Sequence, residues 1–149
     1  MSPTGTTDEP LGFSYGPPPL SRAEVVDVMR LGLITCPQDA SVSEVARMMA
    51  TYRVHCVLVE KSDAAGDRPW GVISDVDLMR AARDGEQRSA AEIARTQLVT
   101  IAADEPVTRA LELMSEHDVS HLVVVQGHSG QPVGVLSTLD VAGVIAWGK

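Results

Sequence analysis

Two short stretches place a hydroxyl three residues ahead of a carboxylate: Ser74-Asp75-Val76-Asp77 and Ser137-Thr138-Leu139-Asp140. Each follows an apolar run headed by glycine, Gly71-Val72-Ile73 and Gly134-Val135-Leu136. Each therefore reads as a strand that ends where a helix begins. A carboxylate in that position can accept a charge-assisted pair of hydrogen bonds from a vicinal diol. A serine at a helix start lies beside unpaired N–H groups, at the positive end of the helix dipole, a setting suited to phosphate. The same two residues can also satisfy those N–H groups themselves, as a capping box. Ligand contact and capping both stand at this point, and they are compatible.

Other side chains with chemical potential are few. His55 lies on the valine-rich run Arg53-Val54-His55-Cys56, and His121 follows Ser120 on a second such run. A phosphate contact and a satisfied strand histidine are both open for them. His117 and His128 fall near a helix end and in a glycine-containing loop, and read as surface residues. The Asp75/Asp77 pair suggests a metal or acid–base couple. No third ligand of suitable spacing accompanies it, and Asp75 has Thr138 at the corresponding place in the second stretch. Cys36 and Cys56 lack CxxC spacing and read as two buried reduced thiols rather than a zinc site or a disulfide. With no nucleophile–base pair, Walker loop or dinucleotide fingerprint, we expect no enzyme activity.

The elements that must position these residues come in a fixed order. Ser21, with Glu24 three residues later, is expected to cap a short helix through Val25, Val28 and Met29. Leu33-Ile34-Thr35 reads as a strand stopped by Cys36-Pro37. Ser41, with Glu44, caps a helix carrying Val42, Val45, Ala46 and Met49 on one face and ending near Tyr52. Val54 to Glu60 is a strand, Lys61 to Pro69 a polar loop, and Trp70 to Ile73 a second strand. A helix from Asp75 to Ala82 ends at Asp84-Gly85. The order then recurs: a short helix at Ala91 to Ala94, strands at Leu98 to Ile101 and Val119 to Val125, and a helix capped by Asp104. A loop at Gln126 to Gln131 leads to a strand at Pro132 to Leu136 and a last helix from Thr138 to about Trp147.

The recurrence is positional. At an offset of 65, Thr35 pairs with Thr100, Asp39 with Asp104, Met49 with Met114 and Val54 with Val119. Beyond the hairpin loop the offset is 63, pairing Gly71 with Gly134, Ser74 with Ser137 and Asp77 with Asp140. An offset that changes only within a loop marks a structural duplication. Each unit has three strands and an apolar sheet face, so packing two units about a pseudo-twofold axis buries both faces. It also leaves two related clefts, where small ligands sit. We therefore divide the chain into a proline- and glycine-rich arm over 1–20, a first repeat over 21–85 and a second over 86–149. The arm is expected to be loosely attached, with Phe13 and Tyr15 able to dock.

Bulk properties narrow the function classes. Across 149 residues, 44% are apolar but only 3% aromatic, so aliphatic side chains must fill the core. The net charge of −8 argues against nucleic acid and anionic membranes as partners. It leaves room for a small anionic ligand in a locally positive pocket. The absence of a leader pattern and of an apolar run near 18 residues leads us to expect a soluble, cytoplasmic protein.

With these features in place, the repeat resembles the CBS domain, and the pair resembles a Bateman module, over roughly Ser21 to Trp147. The Thr35 and Thr100 strands, the capped helices, the Val54 and Val119 strands and the two Ser-x-x-Asp turns carry the resemblance. It implies an α/β (α+β) fold of two β-α-β-β-α repeats, each preceded by a short helix, and a disc-shaped homodimer. It implies a regulatory module that binds AMP, ADP, ATP or S-adenosylmethionine between its repeats and acts on a regulated protein, as yet unknown. Mg²⁺ would accompany ATP. Carried over by position, Asp77 and Asp140 would grip the ribose hydroxyls, and Ser74 and Ser137 would contact phosphate or ribose. Thr35 and Thr100 would line the adenine or phosphate side. His55, with Ser120 and His121 in the second repeat, would face phosphate. The sequence departs from the family pattern at Leu58 and Val123, where many relatives have proline, and at Val76 and Leu139, where some nucleotide binders carry a hydroxyl. Basic residues are sparse beyond His55, His121, Arg30, Arg53 and Arg80, which favours AMP or an uncharged adenosine group over ATP. The alternative is a ligand-free dimerisation or scaffold module, assembled through Val141, Val144 and Ile145; the methionines suit a core or a dimer seam.

Overall fold

The computed structural model describes residues 19–85 and 87–148. The arm expected over 1–20, with Phe13 and Tyr15, lies outside the described residues except for Pro19 and Leu20. The first unit contains α1 (Val25–Val28), β1 (Arg30–Leu31), β2 (Thr35–Pro37), α2 (Val42–Tyr52), β3 (Cys56–Asp63), β4 (Gly66–Ser74) and α3 (Asp75–Asp84). The second contains α4 (Ala90–Ile93), β5 (Thr100–Ala102), α5 (Val107–His117), β6 (His121–Val125), β7 (Pro132–Ser137) and α6 (Thr138–Trp147).

Both units use one wiring. A parallel pair, β2 with β3 or β5 with β6, is joined across a helix, and an antiparallel hairpin adds β4 or β7. Thr35 lies opposite Leu58 and Thr100 opposite Val123, so even the register recurs at offset 65. So does the irregularity in the hairpins, at Val59/Glu60 and at Val124/Val125.

The leaders ahead of each repeat, however, are exchanged. Ala23 and Val25 are buried with Val107, Leu122, Leu136 and Val144 of the second unit. Ala90 is buried with Val42, Val57, Ile73 and Ala81 of the first, with Ile93 and Ala94 packed against that cluster. β1 then pairs antiparallel with β7, giving the sheets β1-β7-β6-β5 and β2-β3-β4. The matching second leader makes a single bridge, Arg95 to Val72. Each repeat therefore completes the other's core; aliphatic side chains, valine foremost, fill both, with Trp70 packed against the first.

Several local expectations are corrected. Glu24, not Ser21, caps α1, in a reciprocal box with Asp27. β2 begins at Thr35 rather than ending there and includes Cys36 and Pro37, and β5 spans Thr100–Ala102 rather than Leu98 to Ile101. Proline is tolerated because β2 is an edge strand. Lys61 to Pro69 is not a loop: β3 and β4 pair out to Asp63 opposite Gly66. Its side chains are polar because this end of the hairpin projects into solvent, where backbone pairing needs no apolar face. The Arg68–Asp63 ion pair at 2.9 Å and the Ser62–Asp67 hydrogen bond at 2.6 Å tie its strands together. Pro106 occupies the N-cap of α5 in place of Asp104, with no side-chain cap.

Candidate functional site

The serine–aspartate pairs form real capping boxes. The Asp77 amide donates to Ser74 Oγ at 3.2 Å and the Ser74 amide to Asp77 Oδ2 at 3.0 Å. In the second unit the corresponding distances are 3.1 and 2.8 Å. Each carboxylate thus commits one oxygen to the start of its own helix. Among the described residues Asp77 is the one buried charged side chain.

The glycine that heads each motif has a packing reason. A Cβ on Gly134 would strike the backbone carbonyl of Arg30. A Cβ on Gly71 would lie 3.0 Å from the Ala94 Cβ and 3.1 Å from the Arg95 carbonyl. Arg30 and Arg95 are themselves partners at offset 65. Each strand therefore carries glycine where the other repeat's leader crosses it, which brings Arg95 against Asp77 and puts Arg30 in the lining of the cleft that holds Asp140.

Two clefts result. The first, about 270 Å³, has Ser74 and Asp77 from the first repeat facing Arg95, Leu98, Ser120 and His121 from the second. The second, about 50 Å³, has Ser137 and Asp140 facing Arg30, Ile34, His55 and Cys56. His121, Cys56, Leu58 and Val135 line both and form the wall between them. The sequence equivalence of the halves is thus not an equivalence of space. Apolar side chains such as Leu98, Val99 and Val119 line the first cleft beside its few polar groups, the composition of a small-molecule site.

Of the nine residues singled out in the sequence, Ser74, Asp77, Ser120 and His121 line the first cleft, and His55, His121, Ser137 and Asp140 the second. Thr35 and Thr100 line neither; Ile34 and Val99, one residue earlier, do. His55 is exposed, with Nδ1 3.1 Å from Asp75 Oδ2 of its own repeat. His121 Nδ1 lies 3.0 Å from Ser120 Oγ. Burial holds the His121 pKa below the ordinary imidazole value; Asp75 and Asp140 oppose that shift and His55 adds to it. Its neutral ring is a hydrogen-bonding group rather than a cation near neutrality. Burial pushes the Cys56 thiol up to about 12 and Cys36 to about 11, so both are poor nucleophiles, and both are free. Among the described residues no group of three or more His, Cys, Asp or Glu side chains could hold a metal ion, and no helix is long and apolar enough to cross a membrane.

The residue that sequence reasoning missed is Arg95. Its Nε donates to Asp77 Oδ1 at 3.3 Å, placing a guanidinium at the rim of the larger cleft. The available signal was its pairing with Arg30 at offset 65.

Comparison with known proteins agrees with this architecture. The chain is 29% identical over 116 residues to Meiotically up-regulated gene 70 protein of Schizosaccharomyces pombe, a match covering 70% of this chain but 16% of that protein. It is 24% identical over 120 residues to Hypoxic response protein 1 of Mycobacterium tuberculosis, covering 78% of this chain and 80% of that one. Among solved structures, a CBS domain protein from Pyrobaculum aerophilum complexed with AMP superposes with a TM-score of 0.72 at 29% identity, covering 83% of this chain and 95% of that one. A CBS domain pair in complex with 5′-methylthioadenosine and S-adenosyl-L-methionine superposes with a TM-score of 0.71 at 23% identity, covering 83% and 96%. The CBS domain family matches twice, over residues 25–84 and 90–146, and on that evidence the chain belongs to the CBS domain family as a tandem pair.

Proposed function

We propose that this chain is a non-catalytic regulatory module that binds an adenosine-containing ligand, AMP foremost, and relays its occupancy to a partner protein. The observation that carries this reading is the larger cleft. Ser74 and Asp77 sit at its rim, apolar side chains form its walls, and its volume of about 270 Å³ is near the lower bound for a small-molecule site. The AMP complex of the Pyrobaculum relative supports the ligand class. The sparse positive charge favours AMP over ATP, and with it a site that works without Mg²⁺. The second cleft, at about 50 Å³, must open before a nucleotide enters, so we expect one ligand per chain.

Exposed apolar side chains on α3 and α6, namely Val76, Met79, Leu139 and Ile145, favour a homodimer, in which nucleotide occupancy would be read out as a change of shape. They equally favour the second reading, a ligand-free scaffold, though of the residues expected to assemble it only Ile145 is exposed, Val141 and Val144 being buried in the second unit's core. Calorimetric titration of the full chain with AMP, ADP, ATP and S-adenosylmethionine separates the two. One site for AMP, lost in Asp77→Ala while the variant remains folded, is the expected result. No heat and no thermal shift with any of the four at millimolar concentration would overturn the ligand reading in favour of the scaffold.

A further inference from the structure

The Arg95–Asp77 contact has the geometry of a latch. Asp77 is held rigidly: its side chain is 6% exposed, and Oδ2 is committed to the Ser74 amide. Arg95 is held only at its backbone, where its N–H and carbonyl each make a 2.9 Å hydrogen bond with Val72. Gly71 permits that close approach. The side chain beyond is half exposed, and its single described bond, Nε to Oδ1 at 3.3 Å, is longer than the ~2.7–2.9 Å of a strong charge-assisted pair. Both terminal nitrogens are without a described partner. The guanidinium can therefore leave Asp77 while its Cα stays fixed at the rim.

Among the described residues no other full cation lines this cleft. His121 is kept neutral by burial, and Asp118 adds a second carboxylate. Without Arg95 the rim would carry only negative charge, which repels phosphate but not an uncharged nucleoside.

We propose that Arg95 makes the larger cleft selective for an adenosine ligand bearing a phosphate group, by releasing Asp77 to the ribose hydroxyls and pairing its guanidinium with the phosphate. This rests on the adenosine reading of the cleft. An uncharged ligand pays for breaking the Arg95–Asp77 contact without regaining a partner for the guanidinium. A phosphate ester supplies that partner, bidentate and charge-assisted. Arg95 thus acts on selectivity more than on the capacity to bind adenosine.

The test compares AMP and adenosine by calorimetry on the full chain, wild type against Arg95→Gln, which keeps the aliphatic stem and the backbone bridge. AMP affinity should fall about ten- to a hundredfold, the loss of one hydrogen-bonded charge contact. Adenosine affinity should hold or rise, and the salt dependence of AMP binding should weaken. Arg30→Gln, in the other cleft, should leave the AMP-to-adenosine ratio unchanged, and Arg95→Lys should restore part of it. If wild type binds both ligands and Arg95→Gln weakens them equally, the selectivity role falls while the adenosine reading survives. If wild type binds neither, both fall. Should Arg95→Gln melt early, Arg95→Lys decides: a folded lysine variant with the glutamine variant's ratio overturns the proposal.

Discussion

Replacing Gly134 by alanine probes the crossing of the two repeats directly. The added Cβ meets the Arg30 carbonyl, a backbone atom that cannot rotate away. That backbone belongs to β1, which pairs with β7 through Arg30 opposite Val135 and Leu31 opposite Gly134. Relief requires β1 to move off the sheet. Forcing a methyl into packed structure costs about 1–3 kcal/mol, and a backbone obstacle belongs at the upper end. One ladder hydrogen bond adds about 1 kcal/mol net. Alanine returns about 0.4–1 kcal/mol by restricting the unfolded chain. The sum is a destabilisation of about 3 kcal/mol. For a chain of this size that lowers Tm by about 10 °C. Two companion variants calibrate the result. Gly71→Ala meets the Ala94 Cβ and the Arg95 carbonyl at 3.0 and 3.1 Å, so a shift of a few tenths of an ångström suffices. It should lose no more than about 1 kcal/mol. Gly127→Ala finds its nearest atom at 3.7 Å, an ordinary contact, and should stay within about 0.5 kcal/mol of wild type. Urea and thermal unfolding of the three variants measure the series. A Gly134→Ala loss no larger than that of Gly127→Ala, or smaller than that of Gly71→Ala, would refute the crossing.

Three further outcomes follow from the same geometry. Burial lowers the His121 pKa, so the unfolded chain takes up that proton first as pH falls; stability present above about pH 6.5 is lost below it until the folded ring also protonates. Urea midpoints between pH 7 and 5 should therefore fall less steeply in His121→Gln, and parallel slopes would count against the assignment. The thiols of Cys36 and Cys56, raised to about 11 and about 12, should label slowly with a disulfide reagent at pH 8 in the native protein and rapidly in urea; rapid native labelling of either would contradict their burial. Finally, if the proposed homodimer forms through α3 and α6, Met79→Glu combined with Ile145→Glu should lower the sedimentation coefficient to that of a monomer without lowering helix content, and an unchanged coefficient would refute that interface.

Most local structure was legible because it is encoded locally. The Ser41, Ser74 and Ser137 caps and the apolar faces of α2 and α5 each depend on residues within a few positions of one another. Errors arose where local signals mislead. The polar residues from Lys61 to Pro69 lack the apolar alternation of a half-buried strand, yet pair as one because both faces of that hairpin end meet solvent. Ser21 and Glu24 resemble a capping box, but Glu24 starts the helix because its partner is Asp27 and because the Val25 and Val26 amides bond to the carbonyls of Glu105 and Ala103 in the other repeat.

The duplication, the capped turns and the family pattern were properties of the sequence alone, since offsets of 65 and 63 hold whatever the chain's shape. The exchange of leaders was not, because it depends on which sheet α1 and α4 reach, and either partner would bury the same side chains. Nor was the inequality of the clefts. Matched sequence positions place matched groups at each, but the space left over is set by how the side chains between the halves fill it, including Cys56 against its counterpart His121. Arg95 is the clearest case. Its sequence neighbours say nothing of Asp77, eighteen residues away; only the crossing at Gly71 puts cation and carboxylate on the same rim.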